Sequence, residues 1–295
     1  MGSSGRTVEA PSDTAAEIER GPFRRLTFDL TEAEQAGYYA GYSNSVLWPI
    51  LDARADLMEI ASGDLSHYKS VDRRVARLLM AELRPDDVVW VHDVHLIPPA
   101  HELRVLGAED RVGFFLHTPF PASFDIAALP NGPEVCHWLM CYDLIGPQSE
   151  RAVRKFKARL LAVAEVGAEA EGDDIVRLSG MEIRVAAFPI AIDTAEFAAL
   201  AEEQYGRLPP GVVKVNRALI IGVDRLDYSK GIPQRFCAFD TFLNRHEDRH
   251  RKVSLLQIAP PTREGVKAQA AIREETERWP AGSTAPMPTS AGRRS

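Results

Sequence analysis

The chain has 295 residues, of which 45% are hydrophobic and 26% charged, as is usual for a globular protein of one large or two ordinary domains. The formal net charge of −7 argues against a general nucleic-acid binder, because such a protein needs a basic face for phosphate contacts. The three cysteines form no Cys-x-x-Cys pair, and no apolar run approaches the ~20 residues of a membrane helix. With no signal-peptide core behind Met1, these features predict a cytoplasmic protein that does not associate with membranes.

The first predicted elements follow a polar N-terminal segment. Residues 1–20 are small and polar, without a strong period, and are predicted to be disordered. Residues 23–30 suggest a strand, and Thr31 and Glu34 then have the spacing of a capping box that opens a helix. Tyrosines on this helix are followed by Trp48. Without further information, such clustered aromatic residues more often pack in a core than bind a sugar.

Alternating helices and strands continue the chain. Apolar residues from Val71 to Leu83 form one helical stripe, and Val88–Val91 reads as a buried strand that ends before Asp93. Residues 111–116 form the next predicted strand, with His117 at its end. Ligands of open parallel sheets gather at these strand ends, so Asp93 and His117 are candidate site residues. The alternation predicts a doubly wound parallel sheet over residues 21–197.

A second domain is predicted after an acidic, alanine-rich linker at residues 198–216. Its elements are the strand Ala218–Val223, the helix Pro233–His246, the strand Val253–Ile258 and the helix Glu264–Glu277. Residues 278–295 are rich in Pro, Gly, Ser and Ala and are predicted to be a disordered tail. The fold class is therefore α/β, with two Rossmann-like domains of which the second, residues 217–277, is incomplete. Two strands leave apolar sheet faces uncovered, which predicts marginal stability or a need for a partner.

The turn between the first strand and helix of this second domain suggests an anion site. Free N–H groups and the dipole at a helix start both favour negative charge. Arg225 and Lys230 add two positive charges in the same turn. The turn predicts a clamp for a diphosphate, and the alternative is that both residues are ordinary solvated cations.

Other chemistries find little support. His92 and His95 flank Asp93, but this spacing at a strand end does not form one ligand shell, so no metal is predicted. The Gly-x-Ser-x-Gly elbow of serine hydrolases and the phosphate loop of many NTPases are both absent from the sequence.

The segment Val-Asp-Arg-Leu-Asp-Tyr-Ser-Lys-Gly-Ile-Pro, residues 223–233, resembles the signature of the trehalose-6-phosphate synthase family. Four further segments of that family's pattern occur in the same order, at residues 42–49, 89–93, 113–121 and 257–260. The resemblance runs from about Gly21 to about Glu277 and covers neither end, so the chain looks truncated on both sides. The family consists of retaining glycosyltransferases with two Rossmann-like domains, the GT-B type.

The resemblance implies transfer of glucose from UDP-glucose to glucose 6-phosphate in trehalose biosynthesis, without a cofactor. Arg225 and Lys230 would hold the nucleotide diphosphate and stabilise its charge as the glycosyl bond breaks. His117 would hydrogen-bond the transferred glucose. A donor phosphate oxygen would take the proton of the acceptor hydroxyl, with retention and no covalent enzyme intermediate.

The resemblance also assigns an acceptor side. Tyr39 and Arg263 would meet the phosphate of glucose 6-phosphate, and Trp48 and Asp93 would contact its sugar. With these roles, the expected catalytic residues are Asp93, His117, Arg225 and Lys230.

Departures from the family pattern leave alternatives open. Val94 replaces a tyrosine and Asp52-Ala53 a His-Tyr pair, so a transferase with another phosphorylated acceptor, such as glycerol phosphate, is one alternative. Ala191 replaces a glycine near the donor, where a methyl group hinders close backbone approach. Together with the missing ends, this suggests an inactive fragment or a non-catalytic, partner-binding remnant as another alternative. The expected partners are the two small-molecule substrates, and a homo-oligomer is a further alternative.

Overall fold

The computed structural model describes residues 1–19, 23–121, 126–163, 169–171, 174–178, 181–204, 218–260 and 267–277. The chain forms two structural units, Met1–Ala191 and Ile192–Ser295. The predicted tail and residues 205–216 of the predicted linker lie outside the described residues. The limits of the two predicted domains therefore stay predictions.

A small sheet at the N-terminus corrects the prediction that residues 1–20 are disordered. Strands β1 (Gly2–Thr7), β2 (Ala16–Glu19) and β3 (Arg24–Leu30) form a sheet of order β1-β3-β2. β1 runs parallel to β3 and β2 antiparallel to it. The prediction was wrong because β3 supplies the backbone hydrogen bonds and the buried side chains that the polar segment cannot supply itself.

The capping box at Thr31 is confirmed. The Glu34 N–H donates to Thr31 Oγ1 (3.1 Å), and the Thr31 N–H donates to Glu34 Oε2 (2.9 Å). The helix α1 (Glu32–Glu34) that opens here passes into a π-helix (Gln35–Leu47) and then into α2 (Trp48–Leu51). A π-helix of this length is unusual, because the i→i+5 geometry normally appears as single turns, often at functional sites.

The rest of the first unit alternates helices and strands around a six-stranded sheet. Its elements are α3 (Asp64–Met80), β4 (Val88–His92), α4 (Pro99–Val105), β5 (Arg111–Leu116), α5 (Gly132–Met140), β6 (Leu144–Pro147), α6 (Glu150–Val163), β7 (Glu169–Glu171), β8 (Ile175–Leu178) and β9 (Met181–Val185). The strand order is β4-β5-β6-β9-β8-β7. β4, β5, β6 and β9 are parallel, as predicted, whereas β7 and β8 add antiparallel pairs.

The strand β4 is only half buried, although its apolar sequence predicts full burial. Val89 and Val91 point into the core, but Val88 is 67% exposed and Trp90 41% exposed. β4 is the last strand of this sheet, and the side chains on one of its faces are exposed. An apolar run alone cannot distinguish a central strand from such an edge strand.

The second unit contains the helix α7 (Thr194–Glu203), the strands β10 (Ala218–Val223) and β11 (Val253–Ile258), and the helices α8 (Ile232–Arg245) and α9 (Lys267–Glu277). Both strand predictions are confirmed residue for residue, and the two strands are parallel. α7 covers the first residues of the predicted linker. No helix among the described residues has the length and apolar content that a membrane crossing requires.

The described core of this second unit is small. Leu226, Ile232 and Ile272 are its buried apolar residues, while Ile220 and Ile221 of β10 are about half exposed, at 47% and 59%. A parallel sheet normally has both faces packed, so this sheet has less apolar burial to stabilise it.

We therefore expect backbone amides of β10 and β11 in the full 295-residue chain to exchange with solvent much faster than those of β5. Hydrogen exchange read by mass spectrometry measures both regions in one sample, since local opening follows local packing. Equal protection of β10 and β5 would contradict this expectation.

Candidate functional site

The carboxyl ends of β4 and β5 bring Asp93 and His117 to one edge of the first sheet. His92 lies opposite Phe115 in the parallel pairing of the two strands. The Asp93 N–H donates to the Phe115 carbonyl (2.9 Å), which extends the ladder by one bond beyond β4. The predicted location of both residues at one sheet edge is therefore confirmed, whereas their roles stay predictions.

The backbone of Asp93 is strained. Its φ of 69° and ψ of 171° fall in a region that is essentially restricted to glycine, and such a conformation costs about 1–3 kcal/mol. Asp93 Oδ1 is buried and has no hydrogen-bond partner among the described residues. Strained backbone and an unsatisfied carboxylate oxygen together are typical of a residue kept for binding or catalysis.

Three contacts fix His117 just beyond β5. Its Nε2 lies 3.1 Å from His92 Nδ1, and Gln148 Nε2 donates to the His117 carbonyl (2.7 Å). The Phe115 ring packs edge-on against the imidazole, with centroids 4.8 Å apart. Apart from the rejected metal site, no role was predicted for His92, although its position beside Asp93 at the same strand end was the available signal.

The pKa of His92 is lowered, first by burial and then by the neighbouring His117, while Asp93 acts in the opposite direction. His92 is therefore neutral at pH 7. Within the described ranges, no group of three or more potential ligand side chains is arranged to hold a metal ion.

The π-helix carries Tyr39, and Trp48 begins α2 directly after it. The Tyr39 ring stacks on His95, with centroids 5.1 Å apart and planes at 18°. Asn44 Nδ2 donates to the Tyr39 carbonyl (2.6 Å), five residues back, as the wide π turn permits. Trp48 is only 8% exposed, so most of its indole packs in the core.

In the second unit, the predicted strand, turn and helix are all present at residues 222–233. Asp227 Oδ1 accepts from the Ser229 N–H (3.0 Å), and the Lys230 N–H donates to the Asp227 carbonyl (3.0 Å). Gly231, with φ of 62°, then opens α8, where Pro233 lies in the first turn. Glycine adopts this left-handed conformation at little cost, and proline needs no N–H partner there.

The positive charges of the two residues predicted to bind the diphosphate are not neutralised by any carboxylate in the described part of the chain. Arg225 and Lys230 are exposed, and neither forms an ion pair with a described residue. The nearby carboxylate of Asp224 is instead bonded to Arg235 Nη1 (2.7 Å), which also contacts Gln257. The turn therefore keeps two free positive charges beside the start of α8. Arg263, predicted to meet the acceptor phosphate, lies outside the described residues.

Comparison with known proteins gives consistent matches over most of the chain. The profile of Glycosyltransferase family 20 matches residues 4–280. The trehalose-6-phosphate synthase of Sodalis glossinidius is 39% identical over 254 residues, which cover 85% of this chain and 53% of that protein. The enzyme of that name from Cronobacter sakazakii is 36% identical, with 88% and 56% covered. The chain thus spans about half the length of the curated relatives it matches.

Solved structures agree. The α,α-trehalose-phosphate synthase (UDP-forming) of Burkholderia vietnamiensis superposes with a TM-score of 0.89 at 37% identity, covering 94% of this chain and 59% of that one. The enzyme of Burkholderia xenovorans, solved in complex with glucose-6-phosphate, gives 0.87 at 39% identity, with 93% and 62% covered. An Escherichia coli structure bound with UDP-2-fluoro glucose gives 0.84 at 34% identity, with 94% and 60% covered.

These matches correct one expectation and confirm another. The family profile begins at residue 4, so the expectation that nothing ahead of Gly21 resembles the family was wrong. The reason is that β1 and β2 have little apolar sequence of their own and are recognisable mainly through their pairing with β3. The α/β fold of the GT-B type is confirmed by the solved neighbours. The chain belongs to glycosyltransferase family 20.

Proposed function

We propose that this chain carries the glucosyl-transfer site of an α,α-trehalose-phosphate synthase (UDP-forming). The reaction would move glucose from UDP-glucose to glucose 6-phosphate with retention of configuration. The observation that supports it best is the pair of exposed cations, Arg225 and Lys230, which no described carboxylate neutralises at the start of α8. The names of the relatives and the ligands of two solved neighbours point the same way.

On the donor side, the diphosphate of UDP-glucose would lie against the turn before α8. The first N–H groups of α8 and its dipole favour an anion, and the side chains of Arg225 and Lys230 add two full charges. Charge on the leaving phosphate grows as the glycosyl bond breaks. Donors already aimed at that charge stabilise the transition state more than the ground state.

On the acceptor side, Asp93 would accept a hydrogen bond from a hydroxyl of glucose 6-phosphate. The unsatisfied Oδ1 of Asp93 supports this role, because it supplies an acceptor that no described residue uses. Tyr39 and Arg263 would meet the phosphate, with Trp48 beside the sugar and His117 near the reacting carbon of the transferred glucose.

The proposed chemistry needs no pair of carboxylates. The bond between the anomeric carbon and the UDP oxygen breaks, and a bond to the acceptor hydroxyl oxygen forms on the same face. The proton of that hydroxyl passes to the departing phosphate oxygen, so UDP leaves and no covalent enzyme intermediate forms. A retaining glycosidase would instead need two carboxyl groups about 5 Å apart. The absence of a cofactor, the cytoplasmic location and any homo-oligomer formation stay predictions.

The alternative with a different phosphorylated acceptor loses one of its two supports. Val94 was one of two departures that suggested it, but Val94 is 0% exposed and packs in the core. The Val94 side chain is therefore not on the surface that a ligand would contact. The alternative of a non-catalytic remnant stays open, because the chain spans about half of its relatives.

The proposal is tested by incubating the full chain with UDP-glucose and glucose 6-phosphate and following products by NMR. We expect UDP and α,α-trehalose 6-phosphate, and we expect no product when glycerol 3-phosphate replaces the acceptor. Matched reactions of Asp93→Asn should form product at least about tenfold more slowly, since the amide does not reproduce a charge-assisted hydrogen bond. Binding of both ligands without turnover would favour the remnant, and product from glycerol 3-phosphate alone would favour the other acceptor.

A further inference from the structure

Two imidazole rings meet at the carboxyl edge of the first sheet. His92 ends β4 and His117 follows β5, and His92 Nδ1 lies 3.1 Å from His117 Nε2. The ring centroids are 5.3 Å apart, with an interplanar angle of 34°. Within the described chain, this is the one side-chain hydrogen bond that either ring makes.

The strand register brings these rings together. His92 lies opposite Phe115, so the side chain of His117, two residues further on, lies on the same face of the sheet. Trp90 packs edge-on against His92, with centroids 6.0 Å apart, and Phe115 contacts both imidazoles. These neighbours are apolar, so they limit the ring positions without competing for the hydrogen bond.

A hydrogen bond between two imidazoles occupies one nitrogen of each ring and leaves the other nitrogen available. Burial and the adjacent His117 lower the pKa of His92, against the opposing effect of Asp93, so His92 is uncharged at neutral pH. In the hydrogen bond between the two rings, one nitrogen carries the proton and the other accepts it, whichever ring is the donor. His117 Nε2 is therefore occupied, and Nδ1 is the nitrogen of His117 that is left for a ligand.

We propose that His92 is the positioning residue of His117, fixing its ring rotation and its tautomer so that Nδ1 faces the transferred sugar. His92 itself touches no reacting atom. The identity of the sugar rests on the proposed function, whereas the fixed tautomer does not.

Two matched variants of the full chain separate the hydrogen bond from ring packing. His92→Asn places an amide close to where Nδ1 was and loses the aromatic ring. His92→Phe keeps a ring between Trp90 and His117 and loses the hydrogen bond. Ring nitrogen shifts of His117, assigned by their disappearance in His117→Gln, report the tautomer without any need for turnover.

We expect one protonated and one unprotonated nitrogen in His117 of the unaltered chain, and the same in His92→Asn. In His92→Phe the two shifts should move towards each other as the tautomers mix. If the chain is active, kcat should fall about tenfold in His92→Phe, because the loss of one hydrogen bond corresponds to about that factor. In His92→Asn, kcat should recover. KM for glucose 6-phosphate should change little in both variants.

The opposite pattern would overturn the proposal. A fixed tautomer in His92→Phe, or mixed tautomers already in the unaltered chain, would mean that His92 does not set the state of His117. A chain without turnover but with the expected nitrogen shifts would contradict the proposed function and leave the positioning role standing.

Discussion

Arg225→Ala should weaken the binding of UDP-glucose to the full chain by about 10- to 100-fold. A hydrogen bond to a charged group contributes about 1.5–3 kcal/mol, and each 1.4 kcal/mol corresponds to a factor of ten in affinity. Arg225 is exposed and forms no ion pair with a described residue, so its charge is available to the diphosphate. Titration calorimetry measures the loss directly, and Lys230→Ala should act in the same direction.

The same helix offers a matched control. Arg245 lies in the last turn of α8 and is exposed, so Arg245→Ala removes an equal charge from the opposite end of the element. We expect it to change the affinity less than about twofold, because exposed charges more than about 10 Å apart are largely screened. Equal losses in Arg225→Ala and Arg245→Ala would mean that general charge, and not a clamp, attracts the nucleotide.

Asp72→Asn should stabilise the protein at pH 7. Asp72 on α3 is fully buried, and neither of its carboxylate oxygens has a hydrogen-bond partner among the described residues. Burial raises the pKa of Asp72 well above its usual value, and the nearby Glu102 adds to the effect. The hydroxyls of Tyr38, Tyr68 and Tyr142 also face this region and carry no charge near neutral pH.

The direction of the pH dependence follows from that raised pKa. Below about pH 4 both the folded and the unfolded chain hold the Asp72 proton, so the group contributes nothing. Above it, the unfolded chain releases the proton while the folded chain keeps it, and stability falls by up to about 1.4 kcal/mol per pH unit. Asp72→Asn removes this fall.

Urea denaturation at several pH values between 4 and 7, read through tryptophan fluorescence, gives the free energy of unfolding for both chains. Their difference should grow with pH. This difference is free of the opposite pH dependence that Glu34 adds to both chains. The pKa of Glu34 is lowered, because hydrogen bonds from Arg74 and Thr31 outweigh the cost of burial. A difference that does not change with pH would show that Asp72 is ionised in the folded protein.

Elements coded by neighbouring residues could be predicted well. The capping box needs only Thr31 and Glu34, and the strand β11 begins after Arg251 and Lys252 and ends shortly before a pair of prolines. The turn before α8 follows from Gly231 and Pro233, whose backbone preferences act locally. Each of these predictions required no knowledge of distant contacts.

Elements that depend on distant partners were missed. β1 is a strand because β3 pairs with it, and the exposure of one face of β4 depends on which distant elements pack against the sheet. The sequence of the π-helix is also compatible with a regular α-helix, and no local residue pattern predicts its wider turn. Tertiary context decides such cases, and a single sequence does not contain it explicitly.

In the candidate site, too, the locally determined features were predicted and those that depend on distant contacts were not. Strand ends located Asp93 and His117 correctly, because the carboxyl edge of a parallel sheet is a general rule. The strained φ and ψ of Asp93 and the contact between His92 and His117 arise from the register of β4 against β5. Register is fixed by the whole sheet, so these features appear only in three dimensions.

A crystal structure of the full chain with bound UDP-glucose would examine the anion clamp most directly. We predict that the diphosphate oxygens lie within hydrogen-bond distance, about 2.7–3.2 Å, of the Arg225 guanidinium and the Lys230 ammonium, at the first turn of α8. A nucleotide bound elsewhere, or bound here with both side chains turned away from it, would contradict the account.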